Sequence, residues 1–242
     1  MEAFPAGCGE PFQGVDTGDA CSGLPGGDGS KLCAFGMIAC VTNAANTVQS
    51  SYSEWSEKYV ELAGAISQTH PSDRTLVSTW AGSLTGPVLD AGSGPGQWTN
   101  FLAQHGLDVR GIDLVPEFVE HAKATYPDLT FDVGSFEAID AETGSLGGVL
   151  TWYTTIHHQP EDLPAVLAEF ARVIRPGGGL LVGFFEWPDL EPFEHVVTQA
   201  YRWPAGEMRE LIETAGFDAL ETHTRTEKDV RPHGAIVARR TR

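Results

Sequence analysis

Apolar residues recur at spacings of 3, 4, 3 and 4 through Tyr52, Trp55, Tyr59, Leu62 and Ile66. That interval aligns one face of a helix, with Trp55 and Tyr59 read as core contacts. A second short helix is expected after His70-Pro71, with Ser72 as its N-cap and Leu76, Val77 and Trp80 turned inward. From Val88 the pattern alternates between short apolar runs and helical periods. Strands are expected at 87–91, 108–113, 129–133, 147–152 and 179–185, and helices at 96–105, 116–125, 161–174 and 205–215. Alternation at this spacing predicts an α/β fold, a doubly wound and mostly parallel sheet with helices on both faces. The end of the chain breaks the rhythm. Two runs near 217–225 and 234–240 follow one another without a helix, so they are expected to pair as an antiparallel hairpin at the C-terminal edge of the sheet.

Residues 1–50 show no such period. They are rich in Gly, Ser, Pro and Asp, a composition that buries too little apolar surface to offset its ordering entropy. The expectation is a disordered tail over 1–50, followed by one domain over 51–242. All 4 cysteines fall in that tail, at Cys8, Cys21, Cys33 and Cys40. Their spacings of 13, 12 and 7 match no common zinc pattern and no histidine accompanies them, so no metal site is assigned. The apolar run Leu32–Val41 is ten residues long, too short to span a bilayer. Five acidic residues and one lysine precede it, the wrong polarity for a signal peptide. The expected location is cytoplasmic, without a membrane partner.

Charge narrows the partners. With 33 acidic and 15 basic residues the net charge is -18, which repels phosphate backbones and makes nucleic acid a poor partner. A small molecule is the expected substrate. Nothing in the pattern fixes the oligomeric state.

The densest chemical signal is Val88-Leu89-Asp90-Ala91-Gly92-Ser93-Gly94-Pro95-Gly96-Gln97-Trp98. A buried strand runs into a glycine turn and then a helix, the place where open α/β sheets bind ligands. Gly92 and Gly94 let the backbone turn sharply and approach a ligand closely. The following strand ends in Asp113, 17 positions after Gly96, where a carboxylate can accept both hydroxyls of a ribose. Together these point to an adenosine-containing cofactor. Dinucleotide sites use G-x-G-x-x-G, whereas this turn reads G-x-G-x-G and carries Asp90 two residues earlier. A carboxylate disfavours a pyrophosphate and favours a cationic ligand.

The run V-L-D-A-G-S-G-P-G-Q-W resembles the first motif of class I S-adenosylmethionine-dependent methyltransferases. Ile112-Asp113-Leu114 is similar to their second motif and Phe131–Phe136 to their third. Thr151–His158 resembles the segment after strand four, and Arg175–Leu181 the turn into strand five. The resemblance covers roughly residues 50 to 240 and implies S-adenosyl-L-methionine as cofactor. On it, Asp90, Gly92 and Gly94 surround the methionine half, Asp113 binds the ribose, and Leu114, Ser135 and Phe136 lie against the adenine. Tyr153 lies near the transferred methyl. The acidic residue common in the family near position 134 is absent, and Gly134-Ser135 stands in its place.

Such an enzyme aligns an acceptor atom and removes its proton where needed. His157 and His158, just past strand four, are the candidate bases. His195, Tyr201 and Trp203, after strand five, are candidate substrate contacts in an aromatic-rich loop. The Asn/Asp-Pro-Pro-aromatic sequence of nucleic-acid adenine methylases is replaced by Thr151-Trp152-Tyr153-Thr154, and no cysteine follows Cys40. The expected function is methyl transfer to the O, N or C atom of a small molecule. Two alternatives stay open: a non-catalytic S-adenosylmethionine-binding protein and a nucleotide-dependent oxidoreductase.

Overall fold

A computed structural model describes residues 43–241. Cys8, Cys21, Cys33, Cys40 and most of the expected tail lie outside the described residues. Helix α1 (Asn43–Ala63) begins eight positions ahead of the domain start expected at 51. Ala44 and Ala45 are strong helix formers. A helix already nucleated further along propagates through such residues, and an apolar period does not detect them.

A short 3-10 turn (Ile66–Gln68) and α2 (Pro71–Ala81) follow. His70, not Ser72, caps α2, its Nδ1 accepting the Ser72 N–H at 3.2 Å. Pro71 takes the first helical position, which its fixed φ suits, and Ser72 therefore falls inside the first turn. The alternating part runs β1 (Val88–Ala91), α3 (Gln97–Gln104), β2 (Val109–Asp113), α4 (Pro116–Thr125), β3 (Thr130–Val133), β4 (Leu146–Trp152), a 3-10 turn (Thr155–His157), α5 (Leu163–Val173) and β5 (Ile174–Phe185). A small hairpin, β6 (Glu191–Phe193) with β7 (Ala200–Arg202), interrupts the pattern before α6 (Ala205–Thr214), β8 (Phe217–Arg225) and β9 (His233–Arg240). Its first strand holds an exposed Pro192 and a half-buried Phe193, and three residues are too few for a period to register.

The seven-stranded sheet has the order β3-β2-β1-β4-β5-β9-β8. Strands β1 to β5 pair in parallel, and β9 runs antiparallel between β5 and β8. The doubly wound sheet and its antiparallel C-terminal edge are as expected. The order reverses between β1 and β4, the switch point at which open α/β sheets leave a crevice.

Successive strand residues face opposite sides, so two cores form. Leu89, Leu180, Val182 and Phe184 pack with α5 and α6. Val88, Leu150 and Leu181 pack with Val77, Trp80, Trp98 and Leu102 of α2 and α3. Leu62 is 47% exposed, contrary to its expected inward place. At 100° per residue it sits about 60° round α1 from Tyr59, past the edge of the stripe. Among the described residues no helix is long and apolar enough to cross a membrane.

These placements separate two leucines that look alike in sequence. Leu167→Ala, at a fully buried site, is expected to lose about 2–5 kcal/mol of stability. Leu62→Ala should stay within about 0.5 kcal/mol of wild type. Denaturant unfolding of both variants checks the difference.

Candidate active site

The site is built where β1 and β2 end side by side. Parallel pairing sets Ala91 opposite Ile112, and the backbone then crosses over, with the N–H groups of Gly92 and Ser93 donating to the Ile112 carbonyl at 2.8 and 2.9 Å. Gly92 has φ +79°, and a Cβ there would lie 2.0 Å from the Thr154 side chain. Only glycine satisfies both conditions. Gly94 has φ +52° and a Cβ there would meet nothing within 4 Å, so the turn presents bare backbone to open space.

The Asp113 carboxylate ties this turn to the next. Its Oδ2 accepts the Gly94 N–H at 2.8 Å and its Oδ1 the Val115 N–H at 2.9 Å. Each oxygen keeps further acceptor capacity. Burial raises the Asp113 pKa to about 6, against the lowering effect of these N–H groups. Asp90 lies beneath the turn at 1% exposure, its Oδ2 accepting the Thr99 hydroxyl at 2.6 Å. Burial, and secondarily the charge of Asp113, raises its pKa to about 7 although Thr99 opposes the shift.

A cavity of about 800 Å³, counting its open mouth, stands over these groups. The structure brings Gly92, Gly94, Asp113, Leu114, Phe136, Tyr153, His157 and His158 together in its wall. His157 donates through Nδ1 to the Gln199 carbonyl at 2.8 Å, which leaves Nε2 to accept the Tyr52 hydroxyl at 3.0 Å. Burial lowers its pKa, against the raising effect of the Gln199 carbonyl. His158 Nε2 is 3.0 Å from Glu137 Oε1, and its ring packs on Phe136 at 5.1 Å.

Five expected site residues stand elsewhere. Asp90 does not line the cavity, because its carboxylate is used under the turn by Thr99. Ser135 is buried and its hydroxyl accepts the Glu137 N–H at 3.1 Å, closing a local turn. Tyr201 and Trp203 belong to the core under α5 and α6, with the Tyr201 hydroxyl donating to Gln159 Oε1. His195 stands one layer behind the wall, 5.3 Å from the His157 ring. Burial, with His157 and Arg231 nearby, lowers its pKa to about 3.

Sequence reasoning missed other wall residues. Tyr52 and Tyr59 of α1 face the cavity, packed on Phe118 of α4 at 5.9 and 5.2 Å. Tyr59 was expected in the core, and a helical period cannot tell a core from a cavity wall. The signal was chemical: two hydroxyl-bearing rings seven residues apart share one face. Trp152 also lines the cavity.

Comparison with known proteins bears on the same region. A family model described as a methyltransferase domain matches residues 88–178, which hold the glycine turn, Asp113 and both histidines. That segment is a methyltransferase domain, and the chain around it is similar to S-adenosylmethionine-dependent methyltransferases. An uncharacterized methyltransferase of Mycobacterium tuberculosis is 35% identical over 96 residues, 38% of this chain and 37% of that protein. The demethylmenaquinone methyltransferase of Beutenbergia cavernae is 36% identical over 107 residues, 44% of each chain. The chain thus spans under half the length of these two relatives. A solved structure of the Burkholderia thailandensis 1,6-didemethyltoxoflavin-N1-methyltransferase, with bound 1,6-didemethyltoxoflavin and S-adenosylhomocysteine, is similar in fold. Its TM-score is 0.69 at 20% identity, over 86% of this chain and 94% of that one.

The raised Asp90 pKa has a sign that can be measured. The folded chain holds this proton up to about pH 7, whereas the unfolded chain loses it near the ordinary aspartate value of about 4. Below pH 4 both states are protonated and the group is neutral to stability. From pH 4 to 7 it destabilises the fold progressively. Asp90→Asn should therefore gain stability relative to wild type as pH rises from 4 to 8 in urea titrations. A constant difference across that range contradicts the assignment.

Proposed function

We propose that this chain binds S-adenosyl-L-methionine in the cavity and transfers its methyl group to an O, N or C atom of a small molecule. The observation that carries the reading is the Asp113 carboxylate, held between two βα turns by Gly94 and Val115 with acceptor capacity left toward the cavity. Vicinal ribose hydroxyls are donors of the right kind for it. Leu114 and Phe136 give apolar walls for a purine, and the open face of Gly94 gives room for the chain that joins sulfur to the ammonium end. The carboxylates of Asp90 and Asp113 favour a cationic ligand and disfavour a pyrophosphate. When bound, the cofactor supplies an electrophilic methyl group for in-line displacement. The protein supplies alignment, with Tyr52, Tyr153 and His157 facing the same space.

A small acceptor is supported by the chain's charge of -18 and by the demethylmenaquinone and 1,6-didemethyltoxoflavin in the names of its similar proteins. His157 is the candidate base within the wall, since its Nε2 carries a lone pair, engaged by the Tyr52 hydroxyl. A cytoplasmic place for the enzyme belongs to the same reading.

Calorimetric titration tests the cofactor. S-adenosylmethionine and S-adenosylhomocysteine are expected to bind at micromolar concentration and NAD not at all. Asp113→Asn should weaken both adenosyl ligands at least tenfold, or about 1.4 kcal/mol. A folded wild-type protein that binds neither adenosyl ligand refutes the reading.

A further inference from the structure

The segment after β4 runs along one side of the cavity, from the glycine turn toward Phe136. At its start Thr154 packs on Gly92, its Oγ1 3.4 Å from the Gly92 carbonyl oxygen. The 3-10 turn over Thr155–His157 carries the chain on to His158, whose ring packs on Phe136 at 5.1 Å. Asp162 follows, one residue before α5, its N–H donating to the Gln159 carbonyl at 3.0 Å. The residue lines the cavity and is exposed, so it stands at the open rim, beyond His158 as seen from Gly92.

Asp113 and Asp162 are the two carboxylates among the described residues of the wall. Asp113 accepts two backbone N–H groups. Asp162 makes no side-chain hydrogen bond or ion pair among the described residues, and although it is the N-cap of α5 its carboxylate does not cap the helix. A few polar groups with free hydrogen-bonding capacity are what orient a ligand in a mostly apolar pocket. The other polar side chains near Phe136 are engaged elsewhere. Glu137 accepts the His158 Nε2–H at 3.0 Å and does not line the cavity. Asp132 is exposed, 3.8 Å from Arg110. Ser135 accepts the Glu137 N–H.

We propose that Asp162 reads the purine of the cofactor, its carboxylate accepting a hydrogen of the 6-amino group. This role rests on S-adenosyl-L-methionine being the ligand of the cavity. In adenosine the ribose is attached to the five-membered ring and the amino group to the far side of the six-membered ring. With the ribose hydroxyls at Asp113 and the purine against Leu114 and Phe136, the amino group is carried away from Asp113 and the glycine turn. It then meets the part of the wall that His158 and Asp162 form. An ionised carboxylate only accepts hydrogen bonds, so it matches an amino group and repels the carbonyl that a 6-oxo purine carries at the same position. Because Asp162 is exposed, water competes for the bond, and its effect on binding belongs at the low end for a bond to a charged group.

Calorimetry of the full chain with two ligands tests this: S-adenosylhomocysteine, and its 6-deamino analogue in which hydrogen replaces the amino group. Wild type is expected to bind the first about tenfold more tightly than the second. Asp162→Ala should weaken S-adenosylhomocysteine about tenfold and change the analogue less than about twofold, so that the preference disappears. The analogue is the internal control, since a general distortion of the site weakens both ligands alike. A variant that keeps the wild-type preference overturns the proposal, and so does a wild type that binds both ligands equally. Either result leaves the cofactor reading standing. A folded wild type that binds neither ligand refutes that reading and the role of Asp162 with it.

Discussion

The Asp113 carboxylate accepts one backbone N–H from the glycine turn after β1 and another from the turn after β2, and the geometry of the site follows from this clamp. It holds Gly94 at the cavity edge with bare backbone outward. It fixes the start of α4, from which Phe118 reaches the rings of Tyr52 and Tyr59. The charge is buried, and burial opposes the two hydrogen bonds strongly enough to leave the pKa near 6. A second carboxylate, Asp90, sits deeper and shifts further. Two acids whose ionised forms burial disfavours, one at the cavity wall and one beneath the turn, both stand to gain from a cationic ligand.

Strand and helix positions were legible because the sheet is buried on both faces and each strand reads as a short apolar run between turn signals. The glycine turn and Asp113 were legible because their chemistry is local: a strand end, a sharp turn and an acid one unit later. The misplaced residues share a different cause. Tyr201 and Trp203 lie in an aromatic-rich stretch, and composition alone cannot say whether such a stretch covers a cavity or fills the core beneath it. The β6–β7 pairing and the position of Gln159 decide for the core. Asp90 is a case of the right residue with another task, because Thr99, nine positions later, takes its carboxylate.

The hydrogen bond between the Tyr153 hydroxyl and His233 Nδ1 was not legible at all. Its members are separated by 80 positions, and only the antiparallel return of β9 beside β5 brings His233 level with Phe185. The same edge hairpin that closes the sheet therefore equips the cavity's far wall. Helix α1 does likewise for the near wall, where the Tyr52 hydroxyl fixes the His157 ring. Elements that look peripheral in the topology finish a site whose floor is laid by β1 and β2.

The central claim is that buried, partly protonated carboxylates under the glycine turn receive a cationic cofactor. Calorimetry of S-adenosylmethionine binding at pH 6.5, in buffers of differing ionisation enthalpy, counts the protons exchanged. The account predicts net proton release, as the ligand's charge pulls the Asp90 and Asp113 pKa values down, with a smaller release in Asp113→Asn. Binding without proton exchange, or with proton uptake, would contradict it.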